Sequence, residues 1–237
     1  MKSIGGIASA ILRQLKRVIM PGESTKNIEL FFNRYLEKYP GIISAFLGYN
    51  GYPASICVSI NEEIIHGIPK KDKFIKQGDI VSVDLGLKYK GLFVDCAYTY
   101  PVGRISSEAK KLIRVCWQAL KEGIKRARVG FRIGDIGFAI QNYVEKNGFS
   151  VIRKFVGHGI GKALHCYPEV PNFGRRGEGE LLTEGMVIAI EPMISYGSSD
   201  VVILDDGWTA KTRDDSLSCH FEHTVAITSR GPWVITR

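Results

Sequence analysis

The sequence predicts an α+β fold made of two similar halves that face each other across a pseudo-two-fold axis. Three features predict it: a weak internal repeat, a helix ahead of each half, and a pair of acidic residues in each half. The chain has 237 residues, 45% hydrophobic and 24% charged, which suffices for a sizeable core. Since no linker or composition change divides it, we expect one domain over 1–237, with halves at about 1–105 and 106–237.

The helical part of the repeat has a spacing of 108 residues. Gly22 aligns with Gly130 and Ile28 with Ile136, and each pair belongs to a glycine turn followed by an amphipathic segment. A further helix is predicted before each half, at about 4–18 and about 107–128, the second with Ser107 as its N-cap. Each half therefore begins with two helices.

The strand part of the repeat has a spacing of 107 residues and ends on an acid. Apolar residues Ile80, Val81 and Val83 align with Val187, Ile188 and Ile190, so that Asp84 aligns with Glu191. A second predicted strand follows in each half and carries Asp95 or Glu222. We interpret these four acids as two equivalent pairs that meet between the halves.

Asp84 and Asp95 flank a predicted hairpin with a tight turn near residues 89 and 90. A two-residue turn there would place the two carboxylates directly opposite each other, with Cβ atoms roughly 4.5–5.5 Å apart. Like charges at that distance repel unless a cation lies between them. Exposed aspartates at strand ends remain the alternative.

His158 is the strongest candidate ligand among the five histidines, because a glycine on each side allows close approach of the backbone. Four carboxylates and one imidazole suit Mn, Fe, Co or Zn. Their number suits two divalent ions about 3.5–4 Å apart.

Composition limits the location and partners of the chain. The five cysteines are widely spaced without a CxxC pair, which favours reduced thiols over a disulfide framework. We find no convincing signal peptide and no run long enough to span a membrane, so we expect a soluble cytoplasmic protein. The net charge of +8 would attract nucleic acid at low salt, although the basic residues also suit an ordinary solvated surface.

Short motifs occur along nearly the whole chain: Tyr-Asn-Gly-Tyr-Pro at 49–53, Cys-Val-Ser-Ile-Asn at 57–61, His-Gly-Ile-Pro at 66–69, Val-Asp-Leu-Gly at 83–86, His-Gly-Ile-Gly at 158–161, Glu-Pro-Met at 191–193, Asp-Gly-Trp-Thr at 206–209 and Glu-His-Thr at 222–224. Together, these motifs resemble those of the type I methionine aminopeptidases in their short bacterial form. The resemblance implies the pita-bread fold, consistent with the repeat, and removal of N-terminal methionine from nascent chains, preferentially before a small second residue.

The resemblance also implies metal ligands. Asp84 would serve one ion and His158 with Glu191 the other, while Asp95 and Glu222 would bridge them.

Catalytic roles are implied for three residues. Glu191 would be the general base, His165 would stabilise the tetrahedral oxyanion, and His66 would bind or protonate the leaving nitrogen.

The family also implies a substrate pocket and a second kind of ion site. The pocket for the methionine side chain would be lined by Phe46, Tyr49, Tyr52, Cys57, Leu164 and Trp208. A monovalent cation, Na or K, would be held partly by the carbonyl oxygens of Asn61, Glu63 and Ser218.

Three positions depart from the family pattern without removing a ligand. Cys166-Tyr167-Pro168 replaces a Glu-x-Pro segment, Leu164 stands where an aromatic is common, and His220 stands where glutamine is common. These departures bear on fine specificity.

Two other functions remain open at this point. A proline-specific aminopeptidase or prolidase would share the metal site, and a non-catalytic module of this fold could use the basic surface to bind RNA. For an enzyme acting on nascent chains, the same surface suggests docking on ribosomal RNA near the exit tunnel. A monomer is expected.

Overall fold

A computed structural model describes residues 1–237 and contains mixed helices and sheets. The first half contains these elements: α1 (Lys2–Leu15), α2 (Thr25–Leu36), β1 (Ile43–Ser44), a 3₁₀ turn (Tyr49–Gly51), β2 (Cys57–Ile60), β3 (Glu63–Ile65), β4 (Ile80–Tyr89) and β5 (Leu92–Pro101). Two helices followed by a long hairpin agree with the predicted order.

The second half repeats that order with shorter strands. Its elements are these: α3 (Ser107–Arg126), α4 (Ile133–Lys146), β6 (Ser150–Val151), β7 (Gly157–Gly159), β8 (Cys166–Val170), β9 (Val187–Ile190), β10 (Met193–Ser195), β11 (Val201–Ile203), β12 (Ala210–Thr212), β13 (Ser218–His220), β14 (His223–Thr228) and β15 (Gly231–Val234). The α+β architecture predicted from the repeat is confirmed.

The helices pack against the sheets through their apolar faces. One hydrophobic cluster joins α1 and α2 to β4 and β5, and a second joins α3 and α4 to the strands of the second half. The N-cap of α3 is Ser106, whose side chain accepts a hydrogen bond from the Ala109 N–H at 3.0 Å. The prediction of Ser107 was wrong by one residue, since either serine could cap a helix beginning there.

The first hairpin has its turn one residue later than predicted. Tyr89 pairs with Leu92, so the turn residues are Lys90 and Gly91, both with positive φ, as in type I′ turns. Asp84 is consequently opposite Ala97, and Asp95 is opposite Gly86. The two aspartates are therefore not directly opposite, as we expected, but are diagonal neighbours on the same face of the sheet.

The corresponding hairpin of the second half is interrupted. Ile190 pairs with His223, and Met193 pairs with His220 in the same register. The ladder breaks between them at Pro192, which has no N–H to donate. Continuing the register across the break sets Glu191 opposite Glu222.

Comparing the registers corrects one of the predicted equivalences. The 107-residue spacing maps Gly86 onto Met193, so that Asp95, the partner of Gly86, maps onto His220, the partner of Met193. Glu222 then corresponds to Ala97. The counterpart of Asp95 is thus His220 and not Glu222, because the second acid lies two residues further along its strand.

Hydrogen bonds between the halves follow the same equivalence. The Thr224 hydroxyl accepts from the Asp95 N–H at 2.9 Å and donates to the Asp95 carbonyl at 2.8 Å. The Thr99 hydroxyl accepts from the His220 N–H at 3.1 Å and donates to the His220 carbonyl at 2.7 Å. β5 thus lies against β13 and β14 along the pseudo-two-fold axis.

The structure can be compared with three expectations from composition, on membrane spans, cysteines and basic residues. No helix is long and apolar enough to cross a membrane. All five cysteines are free, and four of them are buried. The basic residues of α3 are exposed, including Lys110, Arg114 and Lys121, and form a continuous solvated face.

Candidate metal centre and substrate pocket

The predicted ligands meet in one cavity of about 150 Å³ between the halves. Its wall includes Asp84, Asp95, His158, Glu191 and Glu222, all of which are buried. The first half supplies two of these carboxylates from β4 and β5, and the second half supplies the other three side chains. The halves therefore converge on one acidic cluster.

His158 is positioned by the close packing of β7 between β8 and β9. A Cβ atom on Gly157 would lie 2.3 Å from the Ala189 carbonyl oxygen, and one on Gly159 would lie 2.3 Å from that of Tyr167. Only glycine therefore fits on either side of the histidine.

The orientation of the His158 ring suits a metal ligand. Its Nδ1 lies 2.9 Å from the Gly159 carbonyl oxygen, and its Nε2 faces Glu191 Oε1 at 3.7 Å and Asp95 Oδ2 at 4.0 Å. A backbone partner on one ring nitrogen leaves the other as a ligand, as in many metal sites.

The carboxylates are electrostatically unfavourable without a cation. Burial raises the pKa of Asp95 to about 7. Burial, and then the neighbouring Asp95 and Glu191 charges, raise the pKa of Asp84 well above its ordinary value. Burial and the charge of Asp95 do the same to the pKa values of Glu191 and Glu222.

Carboxylate oxygens without a hydrogen-bond partner show whether these residues fit divalent ions. Asp84 Oδ1 and Glu222 Oε1 are buried and have no hydrogen-bond partner. Ligand atoms of Asp95, His158 and Glu222 all lie within 4.8 Å of one another, as do those of Glu191, His220 and Glu222. Oxygen and imidazole donors left unpaired at this spacing fit borderline divalent ions.

His165 lies at the cavity mouth, where its ring contacts those of His158 and Tyr49. The His158 and His165 ring centroids are 4.2 Å apart, and His165 Nδ1 lies 2.8 Å from the Tyr49 hydroxyl. Burial lowers the pKa of His165, so the ring is neutral near pH 7.

His66 also lines the cavity and adopts a positive φ of 62°, which is uncommon outside glycine. Its ring packs edge-on against Phe155 and Trp208. Burial, together with His165, lowers the pKa of His66 to about 4. Two neutral imidazoles thus flank the carboxylate cluster.

The apolar wall contains all six residues predicted to form the substrate pocket. The Tyr52 and Trp208 rings meet edge-on at 5.1 Å, and Cys57 pairs with Asp84 across the sheet. Gly86 makes room for Phe46, because a Cβ there would lie 2.6 Å from the phenyl ring. Phe46, Tyr49 and Leu164 complete the set. An apolar cavity of about 150 Å³ can accommodate a benzene ring in another protein.

Several residues of the site were missed by the sequence analysis. Ile65, Phe155 and Val156 also line the cavity, and Val156 could have been suspected because it precedes the Gly157-His158 segment. Asn172 is buried and donates to the Glu191 carbonyl at 3.0 Å. No motif marked Asn172, because its contact is with backbone brought close only by folding.

The predicted monovalent-cation residues lie together outside the cavity. The Ser218 N–H donates to the Asn61 carbonyl at 2.8 Å, and the Glu63 carboxylate forms an ion pair with Lys73. Lys73 Nζ also lies 3.4 Å from the Val58 carbonyl oxygen. An internal ammonium group therefore already supplies positive charge beside Glu63.

A duplicated α+β frame with buried carboxylates and an imidazole beside an apolar pocket defines a metal-dependent hydrolase. The sequence profile described as metallopeptidase family M24 matches residues 1–229. The chain belongs to metallopeptidase family M24.

Similar proteins narrow the position of the chain within that family. A methionine aminopeptidase from Clostridium perfringens is 48% identical over 236 residues, covering 100% of this chain and 94% of its own length. A methionine aminopeptidase structure from Thermotoga maritima is 46% identical with a TM-score of 0.98, covering 100% of this chain and 95% of that one. The predicted family resemblance is confirmed.

A prolidase from Pyrococcus horikoshii shares the fold alone. Its structure is 21% identical with a TM-score of 0.78, covering 100% of this chain and 60% of that one. This similarity establishes the pita-bread architecture without bearing on the substrate.

Proposed function

We propose that this protein removes the N-terminal methionine from nascent proteins and peptides by metal-dependent hydrolysis of the first peptide bond. The observation that carries the proposal is the apolar pocket of Tyr52, Cys57 and Trp208, which opens directly onto the carboxylate cluster. A methionine side chain in that pocket would bring its own peptide bond to the acids. The high identity to methionine aminopeptidases over the full chain supports the same substrate.

Two divalent ions, Co, Mn, Fe or Zn, are proposed to bind the five ligand residues. Asp84 would serve one ion and His158 with Glu191 the other, while Asp95 and Glu222 would be shared between them. The unpaired Asp84 and Glu222 oxygens support the use of these two residues as ligands. Such ions polarise a scissile carbonyl and lower the pKa of a bound water.

The chain's own residues would handle the protons and the developing charge. Glu191 accepts the proton of the attacking water as general base. His165 would donate to the developing oxyanion through Nε2, since its Nδ1 already lies 2.8 Å from the Tyr49 hydroxyl. The leaving nitrogen would take up the proton that Glu191 removed from the water, and His66 would bind or protonate this nitrogen.

Substrate selection would come from the two sides of the cavity. The backbone at Trp208 is fixed by Asp206, whose carboxylate accepts hydrogen bonds from the backbone N–H groups of Trp208 at 3.1 Å and Thr209 at 2.8 Å. The Met side chain then contacts aromatic rings and a thiol, which favour sulfur modestly. A small second residue is expected, since His66 and His165 stand close to the reacting bond.

The decisive experiment is a metal-dependence series on a Met-Gly-X peptide beside an X-Pro peptide. We expect turnover of Met-Gly-X only, restored to chelated protein by divalent ions, with Asp84→Asn and His165→Ala both strongly impaired. A preference for X-Pro would replace our substrate assignment with that of a prolidase. No cleavage of either peptide by metal-loaded protein would favour a binding module.

A cytoplasmic monomer that docks near the ribosomal exit tunnel is the proposed setting. The exposed basic face of α3 supports docking on RNA. Cosedimentation with ribosomes should be strong at low salt and lost as salt rises. Absence of binding at low salt would contradict this proposal.

A monovalent cation, Na or K, is proposed near Asn61, Glu63 and Ser218. The Lys73–Glu63 ion pair makes this site weaker than one with a free carboxylate. Activity should therefore depend little on K⁺ concentration.

A further inference from the structure

His220 lies where the other half of the molecule carries a proposed metal ligand. Its equivalence to Asp95 rests on two independent observations. The strand registers match Gly86–Asp95 with Met193–His220, and a threonine hydroxyl bridges the backbone of each residue. Since side chains at corresponding strand positions point to the same face, the His220 ring is directed at the carboxylate cluster.

The contact of the His220 ring is with Glu191. His220 Nε2 lies 3.3 Å from Glu191 Oε2, while His158 Nε2 lies 3.7 Å from Oε1 of the same carboxylate. The Glu191 carboxylate therefore lies between two imidazoles, one near each oxygen. Nothing else in the protein pairs with His220 Nε2, which is buried and has no hydrogen-bond partner.

The cavity and the ring lie on different sides of Glu191. Glu191 lines the cavity, whereas His220 does not and is only 1% exposed. Ligand atoms of His220, Glu191 and Glu222 lie within 4.8 Å of one another, so direct ligation by the ring is the competing role that the experiment must separate from positioning. A donor behind a carboxylate in this way fixes which oxygen faces the site, a role common behind metal ligands.

We propose that His220 is a positioning residue: a small rotation brings its Nε2–H into line with Glu191 Oε2, which it then holds so that Oε1 faces His158 and the metal. This inference rests on the proposed metal centre. The Thr99 hydroxyl, bonded to both backbone groups of His220, fixes the strand from which the ring acts.

Metal titration of chelated protein by calorimetry with Mn²⁺ tests the proposal independently of peptidase activity. His220→Ala should weaken one of the two binding steps roughly 10–100-fold, the usual cost of losing a ligand's partner. His220→Gln, whose amide N–H can also donate, should remain close to the wild type. In peptide assays, His220→Ala should lower kcat with little change in KM, because the ring does not line the pocket.

His223→Gln is the matched control. His223 lies three residues further along the chain, at the start of β14, and its Nδ1 contacts the Thr236 hydroxyl oxygen at 3.0 Å and not the carboxylate cluster. This variant should bind Mn²⁺ as the wild type does. Circular dichroism of each chelated variant establishes that it is folded before titration.

Each remaining outcome decides a different point. Wild-type protein that binds no Mn²⁺ would overturn the metal centre and this inference together. Two normal binding steps in His220→Ala would overturn the inference alone. Equal weakening in His220→Gln and His220→Ala would assign the ring to packing. A Mn²⁺-loaded crystal structure with the ion about 2.1 Å from His220 Nε2 would make it a ligand instead.

Discussion

The two halves share a strand frame but differ in how far their hairpins run. In the first half, β4 and β5 pair without a break from Ile80 to Tyr89. In the second half, Pro192 interrupts the same ladder, and Glu191 and Glu222 occupy the break. The continuous hairpin of the first half carries two aspartates on one face. The interrupted hairpin of the second half carries two glutamates, which have longer side chains, at the ends of its strands.

The strand that pairs with each hairpin also contributes a different kind of side chain to the site. In the first half, β2 lies against β4 and contributes Cys57 to the apolar pocket. In the second half, β7 lies against β9 and contributes His158 to the acidic cluster. The two halves therefore share one arrangement of strands but contribute different side chains at this position. The first half contributes a residue of the apolar pocket, and the second contributes a proposed metal ligand.

The largest effects on activity are expected at Asp84 and Glu191, the two acids that occupy equivalent positions in the two halves. Glu191→Gln should lower kcat roughly 10²–10⁴-fold, the usual contribution of a general base. Asp84→Asn should lower activity at least about 100-fold, because losing even an indirect partner of a metal costs up to that much. Excess Mn²⁺ should partly restore Asp84→Asn but not Glu191→Gln in peptide assays. Equal rescue of both would mean that Glu191 acts only as a ligand.

His165 belongs to the second half and lies beside the proposed ligand His158, so its removal tests the chemistry assigned to that half. His165→Ala should lower kcat roughly 10²–10³-fold, as losing an oxyanion donor does, while Mn²⁺ binding stays unchanged. Tyr49→Phe, which removes only the hydroxyl 2.8 Å from His165 Nδ1, should cost far less. The two variants are compared by steady-state kinetics on Met-Gly-X. A large KM effect with normal kcat would place His165 in binding alone.

The sequence predicted the frame well because periodicity and spacing are local. The helices α1 to α4 and the acids Asp84 and Glu191 follow from patterns within single segments. The hairpin register did not, because a shift of one residue at the Lys90-Gly91 turn moves each strand partner by two. That shift also concealed the equivalence of His220 with Asp95.

The cavity wall shows the same division. The sequence identified six apolar residues by motif, yet it missed Phe155 and Ile65, which reach the cavity only through tertiary packing. Asn172 was invisible for the same reason, since it binds a carbonyl 19 residues away.

Asp95 and its counterpart His220 should respond to pH in opposite directions in the metal-free protein. Burial raises the pKa of Asp95 from 3.8 to about 7, so its contribution to folding stability is full below pH 3.8 and is lost as pH rises through about 7. Burial, with His66, lowers the pKa of His220 from 6.5 to about 3, so its contribution is present above pH 6.5 and is lost as pH falls through about 3.

Urea unfolding of chelated Asp95→Asn should therefore show a gain over wild type of about 2–4 kcal/mol at pH 8. The gain should shrink as pH falls below about 7 and disappear below pH 3.8, where the wild-type carboxyl is protonated in both the folded and the unfolded state. His220→Gln should show the reverse trend. At saturating Mn²⁺, wild type should become more stable than Asp95→Asn, because only the intact site gains the free energy of metal binding. An Asp95→Asn gain that is independent of pH would contradict the charge explanation.

The smallest expected effects come from the two threonines that join the halves. Thr99→Val and Thr224→Val each remove a hydroxyl that bridges backbone groups across the axis, which should cost about 1–2 kcal/mol of unfolding free energy. Thr99 also bonds the Ser82 hydroxyl at 2.8 Å, so its loss should be slightly the larger.

Their effects on function should rank the other way. Thr224→Val loosens Asp95, which we propose as a bridging ligand, whereas Thr99→Val loosens His220, which acts only through Glu191. Thr224→Val should therefore weaken Mn²⁺ binding more than Thr99→Val despite its smaller cost in stability. Urea unfolding and calorimetric titration of the same preparations measure both quantities. If Thr99→Val weakens Mn²⁺ binding more than Thr224→Val does, metal affinity simply follows stability. The proposed difference in role between Asp95, as a ligand, and His220, as a positioning residue, would then be wrong.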